Sequence, residues 1–424
     1  MAVLAALAWH SPAWPLALAG GPAIVVGLLG HNPFPGGAIT FGLAAWMLLG
    51  LALAVVRGNA FAPRALLAAP FLATVVLLIL LIVGAGRSDA PAYASVKVQL
   101  FIAANVISLL AGLVVGRSRR DFDLFLLLTL IVGAVTAVAL VRGITTGSQI
   151  ANVGGRFSLN EQASPIGLGR AAAEAILIGA SILLASKSPF RRLLAFGALP
   201  LIAVSFIAAG SRGPVLGLLV GVVVLLGMTL RERRTRQRSV LLAIAVIAGA
   251  MLVSQLVPNH DIQRSLSVLT GSGEGLSSNG RAQLWSAAEN AFRSHPLVGV
   301  GTGGFAAIRP VDSYPHNLFL EVGAELGVLG LIPLIAMLIA TATAIVRGYR
   351  ASPEDERAHM AVAAALFLAA LVNAQVSGDI ATNSGLWLST GLVYGVAYRF
   401  RRAQRRPLAY LRVARPRGLE LRSR

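Results

Sequence analysis

Four residues in this chain stand where they read as chemistry more than packing: Arg170, Arg212, Arg281 and His316. Arg212 lies in Gly210-Ser211-Arg212-Gly213, a tight turn between two apolar runs, and Gly213-Pro214 then opens the next helix, where proline suits a first turn. Arg170 follows Pro165-Ile166-Gly167-Leu168-Gly169 in the first turns of another apolar run. Arg281 falls in the first turn of a short helix that Ser278-Asn279 is placed to cap. A helix N-terminus already carries roughly half a positive charge, so a guanidinium there is unfavourable unless an anion joins it. Free backbone N–H groups beside a guanidinium make a good phosphate site. Three such places point to an anionic ligand. Plainer readings stand beside this one. Arg170 precedes Glu174 by four residues, the spacing of an intrahelical ion pair, and Arg281 can snorkel to lipid headgroups. Arg212 has no acidic residue nearby in sequence.

Of the 6 histidines, His10, His31, His260, His295 and His359 have no informative context. His316 differs, because Tyr314-Pro315-His316-Asn317 meets the start of a long apolar run and Pro315 stiffens the approach. An imidazole, with an ordinary pKa of about 6.5, can take a proton from a hydroxyl near neutral pH. The competing reading is a structural histidine. With 0 cysteines, disulfides, thiolate metal sites and cysteine nucleophiles are excluded. There is no HExxH, paired-histidine or Asp-rich motif, and Asp312, Glu321, Glu325 and Asp379 are too scattered to assign a metal site. The chemistry so read needs no metal and no cofactor, and uses arginines to stabilise charge.

The elements that must hold these residues follow from composition. The chain is 56% hydrophobic and 12% charged, against about 25% charged in soluble domains, so hydrocarbon is the expected solvent. A net charge of +19 could suggest a nucleic-acid partner. The cations lie between apolar runs instead of on one polar face, so no nucleic acid is expected. The apolar N-terminus lacks the basic segment of a cleaved signal peptide, and the first span is expected to be retained.

About 20 apolar residues make a transmembrane helix. Runs of that kind predict about twelve spans, near 14–30, 37–56, 65–85, 94–116, 122–142, 164–186, 193–210, 213–230, 239–257, 316–346, 358–377 and 384–400. The chain thus divides into spans one to nine (1–257), a long loop (258–315), spans ten to twelve (316–400) and a basic tail (401–424). The even-numbered connections and the tail hold 26 of the 36 Lys and Arg residues, which puts both termini in the cytoplasm and the long loop outside. Within that loop Gly271-Ser272-Gly273-Glu274-Gly275 reads as flexible. A helix is expected near 280–294, with Arg281, Leu284, Trp285, Ala288 and Phe292 on one face, lying at the membrane surface.

Taken in order, these residues resemble the O-antigen ligase/O-antigen polymerase superfamily of bacterial inner-membrane enzymes. The matching segments are Gly210-Ser211-Arg212-Gly213; Asn279-Gly280-Arg281 with Trp285; Pro296-Leu297-Val298-Gly299-Val300-Gly301 with Gly304-Phe305; and His316-Asn317 with Glu325-Leu326-Gly327 and Gly330. The resemblance implies an all-α, GT-C-like membrane glycosyltransferase with its active site on the periplasmic side and no cofactor. Its donor would be a glycan on undecaprenyl pyrophosphate. Its acceptor would be a sugar hydroxyl of lipid A core or another glycolipid, or in the polymerase branch a second lipid-linked unit. Carried over, Arg212 and Arg281 would bind the pyrophosphate, with Arg170 a further member, and His316 would activate the acceptor hydroxyl. Asn317 and Glu325 would support the site. Tyr314, Trp285 and Phe305 can stack on sugars or serve as interfacial anchors. From another class, a lipid-linked sugar transporter or flippase would place ionisable groups at mid-membrane depth, where Glu174 is the main candidate.

Overall fold

A computed structural model describes residues 2–19, 38–57, 67–146, 151–152, 156–159, 164–232, 235–241, 244, 279–310 and 313–413, with side chains to residue 400. Among the described residues, 8 helices are long and apolar enough to cross a membrane, and Ala69–Ala85 is a shorter apolar helix. Apolar side chains spaced as a helical stripe remain exposed, as with Ile332, Ile335 and Ile339 at 58%, 43% and 62%. Such stripes suit lipid, not water. The protein is an all-α integral membrane protein.

The helices in chain order are α1 (Ala2–His10), α2 (Ala13–Ala19), α3 (Ala38–Val56), α4 (Ala69–Ala85), α5 (Pro91–Leu100), α6 (Ile107–Arg117), α7 (Arg119–Thr146), α8 (Pro165–Ala185), α9 (Pro189–Ala208), α10 (Arg212–Thr229), α11 (Asn279–Ser294), α12 (Phe305–Ile308), α13 (Leu318–Ala351), α14 (Arg357–Val376) and α15 (Ser384–Val413). A π-helical turn over Phe101–Val106 joins α5 to α6, and Ala151–Asn152 pairs antiparallel with Phe157–Ser158. The N-terminal helix α1 was not expected from sequence. Most of the first expected span and of the ninth, with Arg264, His260, His31, Asp312 and the Gly271–Gly275 stretch, lies outside the described residues.

Glycine lets these helices touch. Gly112 and Gly116 on α6 face Gly391 and Gly395 on α15, each pair spaced by four. A Cβ at Gly391 would lie 2.1 Å from the Leu109 carbonyl oxygen, and one at Gly112 2.4 Å from that of Leu388. In hydrocarbon, where apolar burial gives little drive, such backbone contact supplies the packing energy. Gly213, Gly217 and Gly221 bring α10 onto α14 in the same way, with a Cβ at Gly217 only 2.8 Å from the Ala369 carbonyl oxygen.

Helix α13 is broken near its start. Gly327 adopts φ 65°, ψ −158°, a conformation that suits glycine. The freed backbone is satisfied by the preceding loop: Val300 and Gly301 N–H donate to the Ala324 and Glu325 carbonyls at 2.9 and 3.0 Å, and Val328 and Leu329 N–H donate to those of Pro296 and Leu297 at 2.8 and 3.2 Å. Two of the motifs noted in sequence, Pro296–Gly301 and Glu325-Leu326-Gly327, are thus halves of one joint.

The helix expected near 280–294 runs from Asn279 to Ser294 as α11. Its apolar face does not lie on lipid as expected. Leu284, Ala288 and Ala291 are buried against Phe305 and Ala324, with Trp285, Val300 and Leu320 around them. The upper part of α13 provides that surface, so protein covers the stripe that sequence alone assigned to the membrane.

Candidate functional site

The site is built around the C-terminal end of α14. The last carbonyls of a helix have no partner within it, and here side chains from elsewhere supply them. Asn317 Nδ2 donates to the Gln375 carbonyl at 3.2 Å, and Arg170 Nη2 donates to the Ser377 carbonyl at 2.8 Å. A cation is favourable at a helix C-terminus, so Arg170, ill placed for its own helix, is well placed for another. Its described hydrogen bond goes to Ser377 and not along α8 to Glu174. The start of α10 closes on the same point. A Cβ at Gly213 would lie 2.9 Å from Val376 Cγ2, and one at Gly169 would lie 3.2 Å from Pro214 Cγ and 3.4 Å from Ser211 Cβ. Arg170 therefore directly follows the residue that touches the Arg212 turn.

Arg281 approaches from α11. Burial, then the guanidiniums of Arg212 and Arg156, pull its pKa below the ordinary arginine range. Arg212 and Arg156 therefore both stand within electrostatic reach of Arg281. Arg156 is not singled out by the sequence. It precedes the short strand Phe157–Ser158, and that pairing is the feature that sequence did not offer.

One turn beyond Arg281 on the same face, Trp285 Nε1 donates to the Pro315 carbonyl at 3.1 Å. This bond ties the cation-bearing helix to the segment that carries His316. Trp285 is thereby an anchor for the backbone next to the histidine. His316 has φ 56°, and among the described residues it is the one non-glycine with positive φ. Holding a histidine there costs about 1–3 kcal/mol, and such strain clusters at functional sites. It is sustained from both sides. The Tyr314 ring packs edge-on against the imidazole with centroids 4.5 Å apart, and Asn317 caps α13 by accepting from the Leu320 N–H at 3.0 Å. The ring is half-buried, and its Nδ1 is shielded from solvent.

Beneath this surface sits a charged cluster that sequence scattered over three regions. Lys97 Nζ lies 2.5 Å from Glu321 Oε1 and 2.7 Å from Glu325 Oε2, all three buried. Glu321 Oε2 also accepts from the Ile380 N–H at 2.9 Å. Tyr93 donates to Asp379 Oδ2 at 3.1 Å, while Asp379 Oδ1 accepts from the Thr382 N–H at 2.8 Å. Glu325 thus supports the α13 break, through its carbonyl to Gly301 and its carboxylate to Lys97, while Glu321 supports the turn after α14. Lys97, Tyr93 and Asp379 were missed as site builders. A lone lysine inside an apolar run was the available signal, since a buried cation requires a partner. Burial first, then Asp379 and Glu321, raise the Tyr314 hydroxyl above the usual tyrosine range, with Arg170 and Lys97 opposing. Tyr314 accordingly stays a neutral donor at ordinary pH.

Arg170 and Tyr314 also line a cleft of about 440 Å³, with Glu174, Asn373 and Asn383 among its walls. That volume lies within the usual range for small-molecule sites, about 300–1,000 Å³.

No curated protein matches the chain. Residues 196–335 match the family model of O-antigen ligase. This stretch contains Arg212, Arg281, Trp285, His316 and Glu325, and leaves Lys97, Arg156 and Arg170 outside it. Across the segment that carries two of the gathered arginines and the strained histidine, the chain is similar to the O-antigen ligase family, and the superfamily resemblance carried by its motifs is thereby shown.

Proposed function

We propose that the protein is an O-antigen ligase-type glycosyltransferase of the bacterial inner membrane. It moves a glycan chain from undecaprenyl pyrophosphate to a sugar hydroxyl of lipid A core on the periplasmic face. The observation that carries this reading is the strained His316 segment tied by Trp285 to the helix that bears Arg281, within reach of the charges of Arg212 and Arg156. About twelve spans in a GT-C-like arrangement, both termini in the cytoplasm and the loop 258–315 outside belong to the same reading, supported by the distribution of Lys and Arg.

In the reaction, the acceptor hydroxyl attacks the anomeric carbon as the bond from that carbon to the pyrophosphate oxygen breaks. His316 takes the hydroxyl proton, and with Nδ1 enclosed the accepting atom would be Nε2. The electron pair leaves on the pyrophosphate, whose growing negative charge the guanidiniums of Arg212 and Arg281 meet, with Arg156 adding to the positive field. Pyrophosphate is already a good leaving group, so neither metal nor cofactor is required. Direct displacement inverts the anomeric centre.

The test is purified protein in lipid bilayers with a polyprenyl-pyrophosphate glycan, offered lipid A core and a second lipid-linked glycan as alternative acceptors. Transfer to lipid A core is expected, and His316→Ala should lower it by about 10²–10⁴-fold while the protein still folds. Transfer only to the second lipid-linked glycan would make the enzyme an O-antigen or exopolysaccharide polymerase. Donor crossing the bilayer with no product would replace the enzyme by a flippase. Undiminished transfer by a folded His316→Ala protein removes the proposed base.

A further inference from the structure

We infer that the cleft between α8, α14 and the start of α15 is the subsite for the acceptor sugar, and that Glu174 and Asn373 select its hydroxyls; this rests on the glycosyltransferase reading above. The cleft shares Tyr314 with the His316 site, since the tyrosine both lines it and packs on the imidazole at 4.5 Å. A group bound there is therefore adjacent to the proposed base, and also to the start of α10 that carries Arg212, since Asn373 Oδ1 would lie 3.5 Å from a Cβ at Gly213.

Its chemistry suits a sugar. The walls offer one carboxylate (Glu174), two amides (Asn373, Asn383), the hydroxyls of Thr382 and Ser384, and an aromatic ring. Two enclosed polar atoms on the lining lack a protein partner: Asn373 Oδ1, on a residue only 6% exposed, and Arg170 Nε, whose guanidinium is otherwise spent on Ser377. An orphaned buried acceptor and donor cost about 1–3 kcal/mol each unless a ligand or water meets them. Sugar hydroxyls can do both at once, because each donates and accepts. Glu174 faces the cleft across from the first turn of α15, where a Cβ on Gly385 would lie 3.1 Å from Glu174 Oε1. Glycine at that position keeps the carboxylate open to the ligand.

The other rim explains how a lipid-borne sugar arrives. Thr40 on α3, Leu100 at the end of α5 and Ala104 within the π-helical turn line the cleft and are half-buried, so it is bounded there by membrane helices. The π turn has a purpose at this rim. It swings Asn105 to donate to the Ile380 carbonyl at 2.7 Å, fixing the wall that carries Thr382 and Asn383. The ligand is thus the sugar of a membrane glycolipid.

Two measurements on the full chain in nanodiscs test this. In steady-state transfer, Glu174→Gln and Gly385→Val should each raise KM for the glycolipid acceptor about tenfold or more, leaving KM for the polyprenyl-pyrophosphate donor within twofold. In native mass spectrometry without donor, lipid A core or a second lipid-linked glycan should bind wild-type protein and be lost in both variants. If transfer proceeds but both variants keep the wild-type acceptor KM and binding, the subsite is wrong while the enzyme reading stands. If the glycolipid binds and the variants lose it, yet no transfer occurs, the subsite stands and the glycosyltransferase reading fails. Absence of glycolipid binding by the wild type overturns the subsite.

Discussion

At the scale of single residues, the arginines divide by what they touch. Arg170 is held by a helix end, whereas Arg281 is partly buried and feels the charges of two other cations, which lowers its affinity for its own proton. Like charges so placed repel until an anion arrives. Arg156, outside the segment matched by the family model, belongs to this group. Arg156→Ala should raise KM for the donor about tenfold and leave the acceptor KM unchanged, since removing one charge-assisted contact costs about 1.5–3 kcal/mol. Steady-state kinetics with both substrates varied checks this, and an unchanged donor KM would confine the anion site to Arg212 and Arg281. The sequence displayed Arg212, Arg281 and His316 because each breaks a local expectation: a cation in a tight turn, a cation in a helix's first turn, a histidine after proline. It hid Arg156, whose importance lies in where its chain folds back. It also hid the backbone strain at His316, which no residue type announces.

At the scale of elements, the joint between the loop Pro296–Gly301 and the broken α13 sets the height of His316. The reading from sequence found both motifs but had no means of pairing them, because the hydrogen bonds join backbone groups 24 or 32 residues apart, where side-chain periodicity is silent. The same blindness misassigned the apolar face of α11. An amphipathic helix shows that it needs a cover, and only the fold shows whether lipid or protein provides it. Gly327→Ala tests the joint. A Cβ there would meet the Leu297 carbonyl carbon at 2.4 Å with φ at +65°, whereas at Gly323, four residues earlier, the nearest atom is 3.5 Å away and no positive φ is involved. Thermal unfolding in detergent should show Gly327→Ala melting several degrees below wild type, the measure of about 1–3 kcal/mol of strain, with transfer falling in step. Gly323→Ala serves as the matched control and should melt near wild type. Equal melting of the two variants would mean that the joint contributes nothing.

At the scale of the whole molecule, Lys97, Glu321, Glu325 and Asp379 join three parts of the chain: the last turn of α5, the first turns of α13 and the turn after α14. A transporter puts exchangeable charge near the middle of the bilayer. These groups are spent instead on one another and on the backbone of the turn after α14, so they act as a clamp between the segments they join. Removing one partner of a buried ion pair leaves an uncompensated charge and costs about 3–5 kcal/mol, whereas removing all of them can be close to neutral. Lys97→Met alone should therefore reduce the yield of folded, monodisperse protein sharply. The triple variant Lys97→Met/Glu321→Gln/Glu325→Gln should recover most of it, because no bare carboxylate remains, although Glu321 still must accept from the Ile380 N–H through its amide oxygen. Size-exclusion profiles of the solubilised proteins give the comparison. A single Lys97→Met protein as well behaved as the wild type would show that the three segments are held together by packing alone and that the cluster is dispensable to the fold.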